Sequence, residues 1–554
     1  MPDSTMLPEA TAAIDAVGLA HRRALETVAR RIATPDGKLD HERIDEVQLP
    51  AYELAISAAE LMAARESLRF AWPVGREGRL ESMLAVLFAA ETARDVGSRL
   101  RARRGFFGFG DELGGETIDS PRTLAFVEEG ARPEAYDLVA HELSGSAAGP
   151  ACGLTGEQIA IAETFRRFAD DVVLPLAERI HREDLLVPRA IFEGLRDLGA
   201  FGLSIPAAYG GVAESRPDAM GMVIVTEELS RGSLAAAGSL ITRPEILARA
   251  LLKGGTEEQK QRWLPRLASG EAIAAVAVTE PDHGSDVAGI KLAAVREASG
   301  DFLLTGVKTW CTFGGFANVL MVLARTDPRP ESRHRGLSLF VVDKPSFEGR
   351  EFAWEQPGGG RIEGRAIDTI GYRGMHSFEL VFDGYRVPAS NLVGGEGGLG
   401  KGFYLQMEGF SGGRLQTAAR ALGVMRAASE RAMAYASERT IFGRPELSYG
   451  LTRFKLARMA ALIQAARHAT YRTARLVDEG GGQLEASMVK LFCCKCAEWV
   501  TREAMQIHGG MGYAEEFAVS RNYLDARVLS IFEGAEEVLA LKVVAKNLLS
   551  EALS

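Results

Sequence analysis

A chain of 554 residues is too long for one hydrophobic core and predicts three to four domains. Its 47% hydrophobic and 25% charged residues are those of an ordinary globular protein, and no run approaches the roughly 18 apolar residues of a membrane span. A net charge of −10 argues against a nucleic-acid partner.

Residues 1–150 are rich in Ala, Leu, Glu and Arg, with helical spacing in HRRALETVARRIA and YELAISAAELMAARESLRFA. The opening MPDSTMLPEATAAID has neither a basic start nor an apolar core and does not read as a secretory signal. RRGFFGFGDELGGE breaks the helical pattern, and HELSGSAAGPACGLTG reads as a linker. A second helical region spans 151–275, opening with a Thr155 N-cap and an apolar stripe. Strands follow over 276–395, in AIAAVAVTE, DFLLTGVKTW, ANVLMVLART, GLSLFVVDK and SFELVFDGYRV. Long amphipathic helices fill 396–554. The helix–arginine–loop–helix order at 21–65 faintly echoes that at 432–467 and reads as a degenerate copy of the last region.

Cys152, Cys311, Cys493, Cys494 and Cys496 form an odd, sparse set, as expected in a reducing, cytoplasmic compartment. The cluster LFCCKCAEW lacks the spacing of a zinc clip and reads as small buried helix residues, so no metal is expected. GGEGGLGKG satisfies GxGxxG through Gly395, Gly397 and Gly400. Gly402, however, stands where a phosphate loop needs a hydroxyl, and no clean strand–loop–helix unit surrounds it.

The most informative stretch is QIHGGMGYAEEFAVSRNYLDARVLSIFEGAEEV, residues 506–538. Glu533 stands among Val528, Leu529, Ile531 and Phe532, where lost hydration would raise its pKa toward that of a base, although a solvated Glu at a helix end explains the same residues. Gly534 lets another molecule approach the backbone. Hydroxyls and amides in AVTEPDHGSDVAG could bond a ring edge or phosphate oxygens, although a surface turn explains the same residues. In GVKTWCTFGGFAN, Trp310 and Thr312 lie two apart on a strand and are expected on one face, as a wall and a hydrogen bond for a flat cofactor or as plain core.

QxxGGxGY, then Arg521, Asp525 and Ala526, then Ile531, Glu533 and Gly534, resembles the C-terminal signature of the acyl-CoA dehydrogenases. TEPxxGSD, KxW and RxxFGxP resemble further motifs of that family, and the resemblance covers about 155–554. It implies an α+β multidomain fold: an α-helical domain (151–275), a middle β domain (276–395) and a C-terminal four-helix bundle (396–554), preceded here by an additional helical domain (1–150). It also implies FAD, an acyl-CoA substrate and Glu533 as the base that removes the α-proton. Val278, Thr279, Gly284, Ser285, Trp310 and Thr312 would then touch the flavin, with Ser285 also on the substrate. Arg439, Phe442, Gln506, Gly509 and Gly510 would hold the ADP half of a neighbouring subunit's FAD, so a homo-oligomer, dimer or tetramer, is expected. Glu537 stands where cofactor contacts are common, and Ala535 replaces a hydroxyl residue that usually follows the Glu-Gly pair.

Ser411, Arg414 and Gly534 are the corresponding substrate contacts. Gly412 and Gly413 offer no carboxylate beside Arg414, leave Glu408 as the nearest rival base, and suggest room for a branched acyl group. Arg243, where the family lines the acyl tail with uncharged residues, could receive a second carboxylate or be a surface arginine. Together with the additional N-terminal helical segment, these residues resemble a branch of the family that acts on a short branched dicarboxylic ester, and the resemblance implies (2S)-methylsuccinyl-CoA giving mesaconyl-CoA, with electrons passed to electron transfer flavoprotein. The alternatives are a neutral short or branched acyl chain, an acyl-CoA oxidase that uses O₂, and a non-catalytic helical scaffold.

Overall fold

The computed structural model describes residues 4–74, 79–110, 118–145, 150–214 and 218–554. Parts of the expected break and linker, at 111–117 and 146–149, lie outside the described residues. The chain forms two compact units, Met1–Ile159 with Thr417–Ser554, and Ala160–Gln416.

In chain order the helices begin with α1 (Leu7–Arg31), α2 (Gln48–Val74), α3 (Arg79–Ala102), α4 (Pro121–Gly130) and α5 (Pro133–Gly145). There follow α6 (Gly156–Phe168), α7 (Leu174–Arg182), α8 (Arg189–Asp197), α9 (Ala219–Gly232), α10 (Thr242–Gly254) and α11 (Glu257–Ala268). The strands are β1 (Ala274–Ala277), β2 (Ala293–Arg296), β3 (Phe302–Thr312), β4 (Val319–Arg325), β5 (Leu337–Asp343), β6 (Glu351–Glu355), β7 (Arg361–Ile367) and β8 (Ser377–Val387). Helices α12 (Gly402–Glu438), α13 (Gly450–Asp478), α14 (Gln483–Ile507), α15 (Gly510–Tyr513) and α16 (Ala518–Leu529) follow the sheet. No described helix is long and apolar enough to cross a membrane.

The second unit is built on one eight-stranded sheet of order β1-β4-β2-β3-β8-β7-β6, with β5 beside β4. β4 explains its central place. Val319, Met321 and Leu323 enter one core with α10 and α11, whereas Leu320, Val322 and Ala324 enter the other. A strand apolar from Val319 to Ala324 is expected to be buried on both faces, as it is here. The helices are capped from the sequence: Thr155 and Gln158 exchange side-chain and backbone bonds before α6, and Thr256 and Gln259 do so before α11. The GGEGGLGKG segment forms a short turn (Gly395–Gly398) leading from the sheet into α12.

The first unit joins the two ends of the chain. α2 packs on both α13 and α14, and α5 packs on α13. Tyr136 meets Phe454 with ring centroids 4.7 Å apart, and Phe70 meets His468 at 4.0 Å. Arg458 Nε donates to Glu91 at 2.9 Å, and the Tyr136 hydroxyl donates to the same carboxylate at 2.7 Å. Each half carries helix, short β turn and helix. An Ala33–Leu39 bridge lies between α1 and α2, and the Thr440–Ile441 and Arg444–Pro445 hairpin lies between α12 and α13. Cys493, Cys494 and Cys496 are buried free thiols in α14.

Candidate active site

In the second unit, two motifs are tied together by a buried ion pair. Lys308, fully buried on β3, donates from Nζ to Glu280 Oε1 at 2.9 Å and to the Val278 carbonyl at 2.8 Å. Glu280 also accepts from the backbone amides of Lys291 (2.6 Å) and Leu292 (2.8 Å). Burial pulls the Lys308 ammonium below its ordinary pKa, against the opposing pull of Glu280. The Thr309 amide closes the junction by donating to the Thr279 carbonyl at 2.9 Å. Val278 is buried, Thr279 half-buried, and Gly284 and Ser285 are exposed at the loop tip.

The expected sharing of one face by Trp310 and Thr312 is not found. The β3–β8 register slips between Lys308 and Cys311, and Trp310 takes φ +56°. Alternation fails across that irregularity. Trp310 is left 55% exposed, whereas Thr312 is buried with Oγ1 3.1 Å from Ser377 Oγ. A bulky residue at positive φ is costly and persists only where its surroundings impose it. The outcome is a large, half-open aromatic surface beside a pinned loop, and it fits a flat isoalloxazine.

Arg243 is not a surface arginine. It lies in the first turn of α10, 7% exposed, and donates from Nη2 to the Tyr372 hydroxyl at 3.3 Å. Its charge is felt by Cys311, the residue between Trp310 and Thr312, whose thiol burial pushes up to about 12. At Gly412, the first of the paired glycines, the expected room is filled. A Cβ at Gly412 would stand 2.7 Å from Arg249 Nε, and Arg249 is itself buried against Glu245 at 2.7 Å. Gly412 therefore serves helix packing rather than acyl volume. Arg414 is half-buried on α12; the side chain of Ser411 lies outside the described residues. Glu408 lies 4.0 Å from Lys253, with its side chain 42% exposed.

In the first unit, Glu533 follows the end of α16 at φ +55°, and Gly534 takes φ +100°. The Glu533 side chain is 4% exposed. The expected apolar frame is only part of its setting. Leu529 is buried, but Ile531 is 55% exposed. A nearby ionic partner is Arg420, fully buried, with Nη2 3.9 Å from Glu533 Oε1 and its guanidinium 4.8 Å from the Phe532 ring centroid. Lys490 Nζ donates to the carbonyls of Phe532, at 2.8 Å, and Gly534. Arg420 and Lys490 were not among the sequence candidates. Their signal is a lone cation inside an otherwise apolar helical run, in TAARALG and MVKLFCC.

The remaining candidates of this unit lie on its surface. Phe442 is 96% exposed at φ +47° on the tip of the hairpin that follows Arg439. Arg439, Gln506, Gly509, Gly510 and Glu537 are exposed, and nothing lies within 4 Å of a Cβ built on Gly509 or Gly510. The signature pair Arg521 and Asp525 is buried, 3.8 Å apart on α16, and supports that helix.

Three family models match in the same order as these regions: "Acyl-CoA dehydrogenase, N-terminal domain" at 155–271, "middle domain" at 275–385 and "C-terminal domain" at 400–549. The chain belongs to the acyl-CoA dehydrogenases. It is 39% identical over 559 residues to (2S)-methylsuccinyl-CoA dehydrogenase of Cereibacter sphaeroides, covering 98% of each chain. Butyryl-CoA dehydrogenase from Megasphaera elsdenii superposes with TM-score 0.66 and 31% identity, over 72% of this chain and 99% of that one. A glutaryl-CoA dehydrogenase from Mycobacterium smegmatis in complex with FADH₂ gives TM-score 0.62 and 28% identity, over 71% of this chain and 95% of that one. The protein is thus an FAD-dependent oxidoreductase acting on CH–CH bonds of acyl-CoA thioesters. Residues 1–154 lie outside the three domain matches, whereas the similarity to the Cereibacter enzyme runs through nearly the whole chain.

Proposed function

We propose that this acyl-CoA dehydrogenase oxidises (2S)-methylsuccinyl-CoA to mesaconyl-CoA. The observation that carries the reading is the buried Arg243 guanidinium, beside Tyr372 and within electrostatic reach of Cys311. A buried cation at the first turn of a helix is a natural seat for a second carboxylate, because the helix amides add to its field. The relative that shares the N-terminal helices acts on that dicarboxylic ester, which supports the same assignment.

In this reading Glu533 removes the α-proton, and Arg420 orients its carboxylate by attraction of opposite charge. The backbone N–H of Glu533 bonds the thioester carbonyl and acidifies that proton. Val278, Thr279, Gly284, Ser285, Trp310 and Thr312 hold the flavin. When bound, FAD supplies the hydride acceptor. Ser285, Ser411, Arg414 and Gly534 hold the thioester. Arg439, Phe442, Gln506, Gly509, Gly510 and Glu537 serve the cofactor, the first five of them across a subunit boundary of a homo-oligomer. The exposure of Phe442 supports a partner surface there. Electron transfer flavoprotein is the proposed acceptor, and the cytoplasm the proposed location. The proposed division remains 1–150, 151–275, 276–395 and 396–554.

The test is a spectral titration of the yellow protein with a panel of CoA esters. Methylsuccinyl-CoA should bleach the flavin at the lowest concentration, without steady peroxide formation in air. Equal bleaching by butyryl- or isobutyryl-CoA, with Arg243→Ala indifferent, would overturn the substrate. Glu533→Gln should keep FAD and lose reduction by at least about a hundredfold; activity within about tenfold of wild type would remove Glu533 as the base.

A further inference from the structure

The segment that carries Glu533 is fixed inside its unit at several points. Lys490 holds the Phe532 and Gly534 carbonyls, and the Ser530 hydroxyl donates to Glu498. A further tie comes from the N-terminal helices. Glu536, three residues beyond Glu533, accepts from Lys495 Nζ at 2.8 Å and from the Tyr52 hydroxyl. Lys495 Nζ also reaches the Tyr52 oxygen at 3.2 Å and lies 5.8 Å from the Tyr52 ring centroid. Tyr52 belongs to α2, outside the three matched domains.

Burial works against charge on Glu536, but the donors Lys495 and Tyr52 outweigh it and hold the carboxyl below its ordinary range. Burial, then Glu536, pushes the Tyr52 phenol up, so it stays a donor. Other contacts also dock the N-terminal helices. Asp137 and Arg453 (2.6 Å) and Glu91 and Arg458 (2.9 Å) already tie them to α13. Tyr52 instead meets the chain just beyond the proposed base.

We propose that Tyr52 of the N-terminal helices is a positioning residue: through Glu536 and Lys495 it fixes the 530–537 segment and so aims the Glu533 carboxylate. This inference rests on the reading of Glu533 as the base. Loss of the hydroxyl leaves the segment free to shift, and small misplacements of a base are costly to rate but not to substrate affinity.

The experiment uses full-length, FAD-loaded protein and rapid-mixing flavin reduction with the best CoA ester and its α-deuterated form. Tyr52→Phe should slow the limiting rate about ten- to a hundredfold, raise the α-deuterium isotope effect and leave flavin content and KM within about twofold. Glu536→Gln, which keeps an acceptor oxygen, should retain more rate than Glu536→Ala. Asp137→Asn, which cuts a docking contact away from this segment, should reduce the flavin at the wild-type rate. A wild-type rate in Tyr52→Phe, or an equal loss in Asp137→Asn, would overturn the proposal. Glu533→Gln run in the same series separates the two readings. If it is active, the base assignment fails and takes this inference with it. If it is dead while Tyr52→Phe is unimpaired, the positioning role alone is lost.

Discussion

Lys308 and Arg420 are both fully buried cations, and each lies beside a carboxylate of the region it supports, Glu280 and Glu533. Removing one member of a buried pair strands the other charge at a cost of about 3–5 kcal/mol. Lys308→Met should therefore lower the melting temperature and loosen FAD, measured by calorimetry and by flavin lost on gel filtration. At Arg243 the quantity at stake is affinity. A hydrogen bond to a charged group contributes about 1.5–3 kcal/mol, so Arg243→Ala should raise KM for methylsuccinyl-CoA roughly ten- to a hundredfold with kcat less affected. Steady-state kinetics against butyryl-CoA as control decide it. Glu533 could be picked out as a candidate because it closes a long ordered string of residues. Arg420 could not: its partner is far along the chain, and a lone arginine in a helix normally lies in water.

The elements differ in how plainly the sequence announces them. β1, β3, β4, β5 and β8 lie in the β-branched, turn-bounded runs expected as strands, whereas β2, β6 and β7 lie outside those runs. β6 is exposed at every second residue, as an edge strand is, and charged side chains there protect the edge. The slip in β3 was equally hidden, since nothing in KTWCT marks an irregular register. On α12 the packing is read through glycines. A Cβ on Gly409 would stand 2.7 Å from the Ile246 carbonyl oxygen of α10. Alanine gains about 0.5–1 kcal/mol in a helix interior, but overpacking against backbone costs about 1–3 kcal/mol. Gly409→Ala should thus be destabilising despite better helix propensity, as a thermal melt would register.

Across the whole chain, the first unit is assembled from both ends, so residues 1–154 are part of its core rather than an appendage. A chain starting at 155 should expose the α13 and α14 surfaces that meet Phe70, Phe88 and Tyr136, and should aggregate or melt well below the full protein. The same packing sets a pH dependence. His21 on α1 is buried, its Nε2 donating to the Leu54 carbonyl at 2.8 Å. Burial, with Arg65 and Arg22 adding to it, lowers its pKa from 6.5 to about 4. Between those values the unfolded chain binds a proton that the folded one does not, so stability falls as pH drops from 6.5 toward 4. The loss is about 3 kcal/mol at about 1.4 kcal/mol per pKa unit, and His21→Gln should flatten that part of a denaturant-midpoint profile against pH.

Local order along the chain determined the helix–strand–helix succession, the helix caps at Thr155 and Thr256, and the family motifs, because periodicity, capping and short motifs are properties of neighbours in sequence. Tertiary structure alone decided the Lys308–Glu280 and Arg420–Glu533 pairs, the burial of Arg243, the use of Gly412 for Arg249, and the meeting of Tyr52 with Glu536. Each joins residues separated in sequence, and desolvation and charge pairing act through space, where only the folded chain brings such partners within reach.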